Sequence, residues 1–206
     1  MRPNRYNKIS SIYSLKLRKM YSNIKDFLIF KEPEGIIGYR EDDLYRFAGP
    51  RALIASALVF RLMKEAIKDL SPNEIPCRKD FTVISGHSGP GVKDGFEYLT
   101  RAVSERRYLY DPDKARSNAP AAPASAAEGF MYFEIGYRGK AIRYVLADDI
   151  FDSEWFSQVR KHQEGSSSVS EHSRYLMYKD SVVSKLRRKE DIFKQKVQIG
   201  EDPRFN

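Results

Sequence analysis

One unbroken run of helical periodicity, "GPRALIASALVFRLMKEAIKDLSP" (residues 49–72), constrains this chain more than any other stretch. Pro50 suits a first helical turn, where its missing N–H would have no partner anyway. Ser71-Pro72 stops the run, because proline removes a donor and disfavours helical backbone in the residue before it. Between these signals Ile54, Leu58, Leu62 and Ala66 recur at helical spacing with Val59, Met63 and Ile67 beside them. Lys64, Glu65, Lys68 and Asp69 fall on the other side. An apolar face this broad has to be covered, so the helix is core and the rest of the chain must pack onto it.

The covering elements are read in the same way. "DFTVIS" is a short β-branched strand, and the pattern turns helical again from Val92 to Ser104, with Phe96, Leu99 and Val103 on one side. "FMYFEIGY" and "AIRYVLA" are strand-like runs separated by Arg138-Gly139-Lys140, which predicts a hairpin with a glycine turn. "DSEWFSQVRKHQEG" predicts a helix capped by Asp152 or Ser153 and closed by Gly165. "SEHSRYLMYKDSVVSKLRRKED" predicts a second, repeating Tyr175, Tyr178, Val182 and Leu186 at helical spacing after a Ser-rich turn. The mixture points to an α+β fold with a small, mainly antiparallel sheet and packed helices. "ARSNAPAAPASAAEG" holds nothing large enough to bury, so residues 112–129 read as a flexible loop. The expected organisation is a basic extension over residues 1–30, one domain over 31–200, and a tail over 201–206.

Composition narrows the class. At 206 residues and 41% hydrophobic content, the chain has enough apolar surface for one domain core. A single cysteine, Cys77, forms no internal disulfide, and no Cys/His group has zinc-finger spacing, so a cytoplasmic setting is the default. No window approaches the roughly 20 apolar residues of a membrane span. The nearest, Ala52 to Met63, is broken by Ser56 and Arg61. The net charge of +8 sits mostly at the ends. Residues 1–25 carry seven Lys or Arg and no acid, and "KLRRKEDIFKQK" forms a second basic block. Such an N-terminus suits a transit peptide, a nucleic-acid arm, an anionic-membrane contact, or a solvated segment upstream of a start at Met20. No recognised nucleic-acid module accompanies the charge, which makes nucleic acid the weaker partner reading.

The densest chemistry lies in "ISGHSGPGVKDGF" (residues 84–96). Glycines at 86, 89, 91 and 95 permit positive φ and close approach of another group, and Gly91 stands where a helix would begin. Ser85, Gly86, His87, Ser88, Gly89, Gly91 and Lys93 could therefore form an anion or ligand cradle. The spacing is neither the dinucleotide fingerprint nor a P-loop, and Lys93 is out of register for the latter. A strand-to-helix turn in which glycine and proline only solve backbone geometry reads equally well. His87 has candidate partners in Cys77, Ser85, Ser88, Asp94 and Glu97. Asp94 or Glu97 could reach back from the next helix to orient the imidazole, whereas a Cys77–His87 nucleophilic pair would have to bridge a strand. His162 and His172 occupy polar helical positions and are expected to face solvent.

The run Gly86-His87-Ser88-Gly89-Pro90-Gly91-Val92-Lys93-Asp94-Gly95-Phe96 resembles the signature of the formylmethanofuran dehydrogenase E-subunit family, Gly-His-x-Cys-Pro-Gly followed by an apolar turn and a Gly-aromatic pair. "GKAIRYVLADD", "SEWFSQVRK", "EGSSSVSEHSRY" and "KEDIFKQKVQI" follow that family's order of strand, helix, short turn, long helix and terminal Phe-containing strand. The resemblance spans residues 50 to 200, with only the His87 loop a specific motif. It implies an α+β domain in which the motif His and Cys hold a metal, zinc being the usual candidate. Gly89 stands at the cysteine position, and the family's further cysteine-bearing segments are absent, so a metal here would need Asp94, Glu97 or Cys77 beside His87.

Three functional expectations follow. The first is a small-ligand or metal-binding domain centred on the His87 loop, accessory to a redox or one-carbon enzyme system. The second is an enzyme using His87 as base or metal ligand, with the Gly89-Pro90-Gly91 segment stabilising an anion. The third is an interaction protein whose basic ends meet nucleic acid or an acidic partner. The aromatic-rich hairpin is also compatible with a symmetric homodimer.

Overall fold

The computed structural model describes residues 27–115, 119–121, 129–165 and 168–200. Residues 1–26, the remainder of the Ala/Pro/Ser loop and the 201–206 tail lie outside the described residues, and with them the expectations made for those segments.

Strands β1 (Phe27–Glu32) and β2 (Gly35–Arg40) form an antiparallel hairpin that buries Leu28, Phe30 and Tyr39. Phe30 is completely buried, so the domain already includes residues assigned from sequence to the 1–30 extension. Helix α1 (Glu41–Ala48) follows directly, with Glu41, Asp42 and Asp43 in its first turn, where acids favour the helix dipole. Gly49 takes φ +81°, and Pro50–Ala52 form a 3-10 turn, so Pro50 opens that turn rather than the α-helix itself. Helix α2 (Leu53–Leu70) then buries Ala57, Leu58, Val59, Phe60, Leu62, Met63, Ala66 and Leu70. Each Leu-sized side chain removed from water contributes about 1.5–3 kcal/mol.

A second sheet supplies the cover. Its strand order is β4 (Tyr108–Tyr110), β3 (Phe81–His87), β5 (Gly129–Tyr137), β6 (Lys140–Leu146) and β7 (Phe193–Gln198). Only the β3–β4 pair is parallel, because helix α3 (Pro90–Thr100) carries the chain from the end of β3 back to the start of β4. The other three pairs are antiparallel. The β5–β6 hairpin turns through Arg138 (φ 49°) and Gly139 (φ 80°), the two positive-φ residues of a primed turn. Helix α3 is shorter than its apolar spacing suggests: Arg101 goes left-handed at φ 56°, leaving Val103 in the following loop.

All five α-helices of the described residues belong to the layer packed on one sheet face. Helix α2 sits at its centre, against α1, α3 and β6, and against α5 (Val169–Arg188), on which α4 (Ser153–Gln163) packs in turn. Asp152 caps α4 by accepting from the Trp155 amide at 2.8 Å, and Ser168 with Glu171 forms a capping box for α5. The other sheet face carries Tyr132 and Val145 under Ala119 and Phe130, with the 3-10 turn Asp113–Ala115 against β3 and β5. Both faces are therefore covered, which is why every residue of β3 is buried, the polar Thr82, Ser85 and His87 included. Among the described residues no helix is long and apolar enough to cross a membrane.

Candidate functional site

Strand β3 ends in an irregularity that creates the site. Ser85 faces Phe133 while His87 faces Gly129, so two steps along β3 match four along β5. The bulge takes the His87 backbone out of the regular ladder, and Ser85 repairs the loss. Its Oγ accepts from the His87 amide at 3.1 Å and donates to the His87 carbonyl at 2.9 Å. The Tyr108 hydroxyl donates to the same carbonyl at 3.4 Å and is also hydrogen-bonded to Ser85, and burial pushes its pKa up. Strand β4 thus brings Tyr108 to the His87 backbone. Tyr108 is a participant that sequence reasoning missed, and its signal was the aromatic-apolar triplet "YLY" following a helix.

The imidazole is only 7% exposed, and burial pushes its pKa down to about 4. Its Nδ1 accepts a hydrogen bond from the Gly89 amide at 2.8 Å. A neutral imidazole carries one hydrogen, so with Nδ1 accepting, that hydrogen resides on Nε2. His87 is therefore a neutral donor through Nε2, and its one available lone pair is already used by the backbone. This state suits recognition of an acceptor. It suits neither metal ligation nor proton abstraction, both of which need an unoccupied lone pair.

The supporting carboxylates expected from the sequence do not fill that role. The Nδ1 partner is the Gly89 amide rather than Asp94 or Glu97. Glu97 Oε2 accepts from the amides of Val103 at 3.0 Å and Ser104 at 2.9 Å, and these backbone bonds and Arg101 outweigh burial to hold its pKa below the usual carboxylate value. Its carboxylate ties the loop after α3 to the helix. Asp94 is half-buried in the body of α3, Lys93 is exposed, and Ser88 is half-buried. Cys77 is a free thiol at the opposite end of β3, about 20 Å away by the rise of a seven-residue strand, and its amide donates to the Tyr137 hydroxyl at 3.1 Å. A Cys77–His87 pair is therefore excluded by the strand between them. Among the described residues no three His, Cys, Asp or Glu side chains come together as a metal site. The donor set implied by the family resemblance, His87 with Asp94, Glu97 or Cys77 around zinc, does not fit this geometry.

The glycines also do other work than a cradle requires. The positive-φ glycines among the described residues are 49, 129, 139 and 165, which excludes 86, 89, 91 and 95. Gly91 and Gly95 instead permit close helix packing. A Cβ on Gly91 would lie 2.7 Å from the Ala52 Cβ, and one on Gly95 would meet Val59 at 3.1 Å. The glycine with the strictest demand is Gly129, opposite His87: at φ +104°, a Cβ there would fall 2.0 Å from the Gly86 carbonyl oxygen. Helix α3 is held at its far end by the buried Arg78 and the half-buried Arg107. Arg78 Nε donates to the Leu99 carbonyl at 2.9 Å and Arg107 Nη2 to the Thr100 carbonyl at 2.6 Å, satisfying C-terminal carbonyls and placing positive charge at the negative pole. His87 and the start of α3 are thus fixed from both sides.

The remaining histidines divide. His172 is exposed, as its polar position suggests. His162 is half-buried, stacked on Tyr175 with centroids 4.1 Å apart and planes 7° apart, because α4 and α5 bring those rings face to face. Burial pushes its pKa down. No family model matches the chain, and no curated protein matches it.

Proposed function

We propose that this protein is a small-ligand-binding α+β domain, similar to the formylmethanofuran dehydrogenase E-subunit family, in which the His87 loop recognises a hydrogen-bond acceptor and not a metal. The observation that carries this reading is the Gly89 amide on His87 Nδ1, which places the ring hydrogen on Nε2 at the residue where the family places a metal ligand. The position of the family cysteine is occupied by a glycine whose backbone N–H takes over the imidazole lone pair. The protein would serve as an accessory domain to a redox or one-carbon enzyme, as the resemblance implies, and its single cysteine is compatible with a cytoplasmic setting. A homodimer is compatible with this role, and gel filtration tests it directly.

Two measurements on untagged wild type and on His87→Ala test the reading. Elemental mass spectrometry is expected to find no stoichiometric metal in either protein. Near-stoichiometric zinc in wild type that is lost in the variant would overturn the non-metal assignment. A thermal-shift screen of small organic compounds is expected to yield stabilisers of wild type that leave His87→Ala unmoved. Equal stabilisation of both proteins by every compound would place binding elsewhere.

A further inference from the structure

Among the described residues, strands β2, β4 and β7 each have an edge with no neighbouring strand, whereas the outer side of β1 is bridged to Cys77. An open edge offers backbone N–H and C=O groups to any other chain, so it is normally kept short or charged. Strand β4 has only three residues, and β7 carries Lys194 and Lys196. Strand β2 has neither protection. It runs Gly35-Ile36-Ile37-Gly38-Tyr39-Arg40 with no charge before Arg40, and Gly35 to Gly38 are all exposed, Ile36 at 48% and Ile37 at 37%.

The pairing with β1 decides which backbone groups of β2 face outward. In an antiparallel ladder, pairs that exchange N–H···O bonds alternate with pairs whose polar groups point away from each other. Lys31 stands opposite Ile36 and donates its amide to the Pro76 carbonyl at 2.9 Å, away from β2. Ile36 therefore turns its own N–H and C=O to the open side, and Gly38 and Arg40 follow at the same period. The Arg40 amide is already taken by Asp43 Oδ2 at 2.7 Å, which leaves Ile36 and Gly38 as the pairing positions. Opposite charges flank them, Glu34 at the turn and Arg40 at the strand end. The Arg40 guanidinium lies over the Phe27 ring, 5.2 Å from its centroid, and a guanidinium over a ring face still meets a carboxylate through its N–H groups.

We propose that β2 is a self-recognition surface, which pairs antiparallel with β2 of a second copy about a two-fold axis at Ile37. This register sets Ile36 against Gly38 of the second copy, so that each open N–H and C=O finds its complement, and it joins two two-stranded hairpins into one sheet. It also sets Glu34 of each copy beside Arg40 of the other. Sliding the register by one pleat in either direction keeps the backbone parity but loses the charge match, since it puts Glu34 opposite Gly38 or Ile36 opposite Arg40. The contact is isologous, so it closes at two chains and does not grow into a fibre. It is independent of what the His87 loop binds.

Sedimentation equilibrium on wild type, Glu34→Arg, Arg40→Glu and an equimolar mixture of the two variants tests this. Wild type is expected to form a reversible dimer. Each variant alone sets like charges together at both symmetry-related pairs and is expected to weaken the dimer about tenfold or more. In the mixture, opposite charges meet again at both pairs, so a heterodimer of about wild-type affinity is expected, a recovery that misfolding of either variant would not produce. Ile36→Lys puts a charge on the open edge without touching a β1 hydrogen bond, and is expected to leave a monomer with the circular dichroism of wild type. Wild type that stays monomeric up to about 1 mM would overturn the proposal and leave the edge to some other extended segment. A dimer that all three variants form as tightly as wild type, which places the contact on another surface, or a mixture no tighter than its components, would overturn it as well.

Discussion

At the scale of single residues, His87 shows how burial converts a common switch residue into a fixed donor. Its pKa is near 6.5 when unfolded and about 4 in the fold, so between those values the unfolded chain binds a proton that the native chain refuses. Native stability must therefore fall as pH drops from 6.5 to 4, by about 3 kcal/mol from this residue, and show no contribution from it above 6.5. Urea denaturation at about pH 7 and about pH 4.5 measures this. Wild type is expected to lose most of that amount, and His87→Gln to lose only what other groups contribute. Asp149 and Asp152, whose pKa values are held down by Lys189 and by the Trp155 amide respectively, begin to weaken the fold only as pH falls into their ordinary carboxylate range. Parallel losses in the two proteins would show that His87 titrates normally. The sequence places His87 correctly at a strand end. It does not show the state of the ring, because that depends on one backbone amide two residues on.

At the scale of elements, the legible parts are those that repeat. Helices α2, α4 and α5 and the β5–β6 hairpin follow from spacing, caps and a glycine turn. Strand β2 and helix α1 escape such a reading because each buries only one residue, Tyr39 and Leu44, and leaves no period to detect. Strand β4 has only three residues. The glycine loop misleads for a different reason: sequence shows where a side chain is absent but not whether backbone angle or neighbouring volume requires it. At Gly91 and Gly95 the demand is volume. At Gly129 it is both, and there the sheet itself is at stake. Gly129→Ala is expected to cost at least about 1–3 kcal/mol from its backbone angle alone, with the clash against Gly86 added. Gly35→Ala, where an added Cβ meets nothing within 4 Å, should stay within about 0.5 kcal/mol of wild type. Equal urea midpoints for the two variants would contradict the geometry of the β3–β5 bulge.

At the scale of the whole molecule, the C-terminal basic block changes meaning once folded. Lys185, Lys189 and Lys194 lie within 3.2 Å of Asp152, Asp149 and Asp148, and Lys196 lies 2.6 Å from Asp69, so much of that charge is answered inside the fold. Exposed pairs of this kind add little stability, about 0–1 kcal/mol each, but they reduce the field available to a polyanion. Lys179 illustrates a different use of charge, donating from α5 to the Pro50 carbonyl at 2.8 Å and so joining the last long helix to the start of the central one. Helix α2 is the common support: it receives α3 and thereby positions the His87 turn, and it also packs against α5. Covering of the sheet on both faces keeps His87 out of water, so the state of that ring reports on the assembled fold as well as on the site. Long-range proton–nitrogen NMR on histidine-labelled protein reads that state directly. His87 is expected to be neutral with its hydrogen on Nε2, holding that form on acidification until about pH 4. A ring hydrogen on Nδ1, or a titration near the ordinary value of about 6.5, would contradict it and reopen the imidazole to metal.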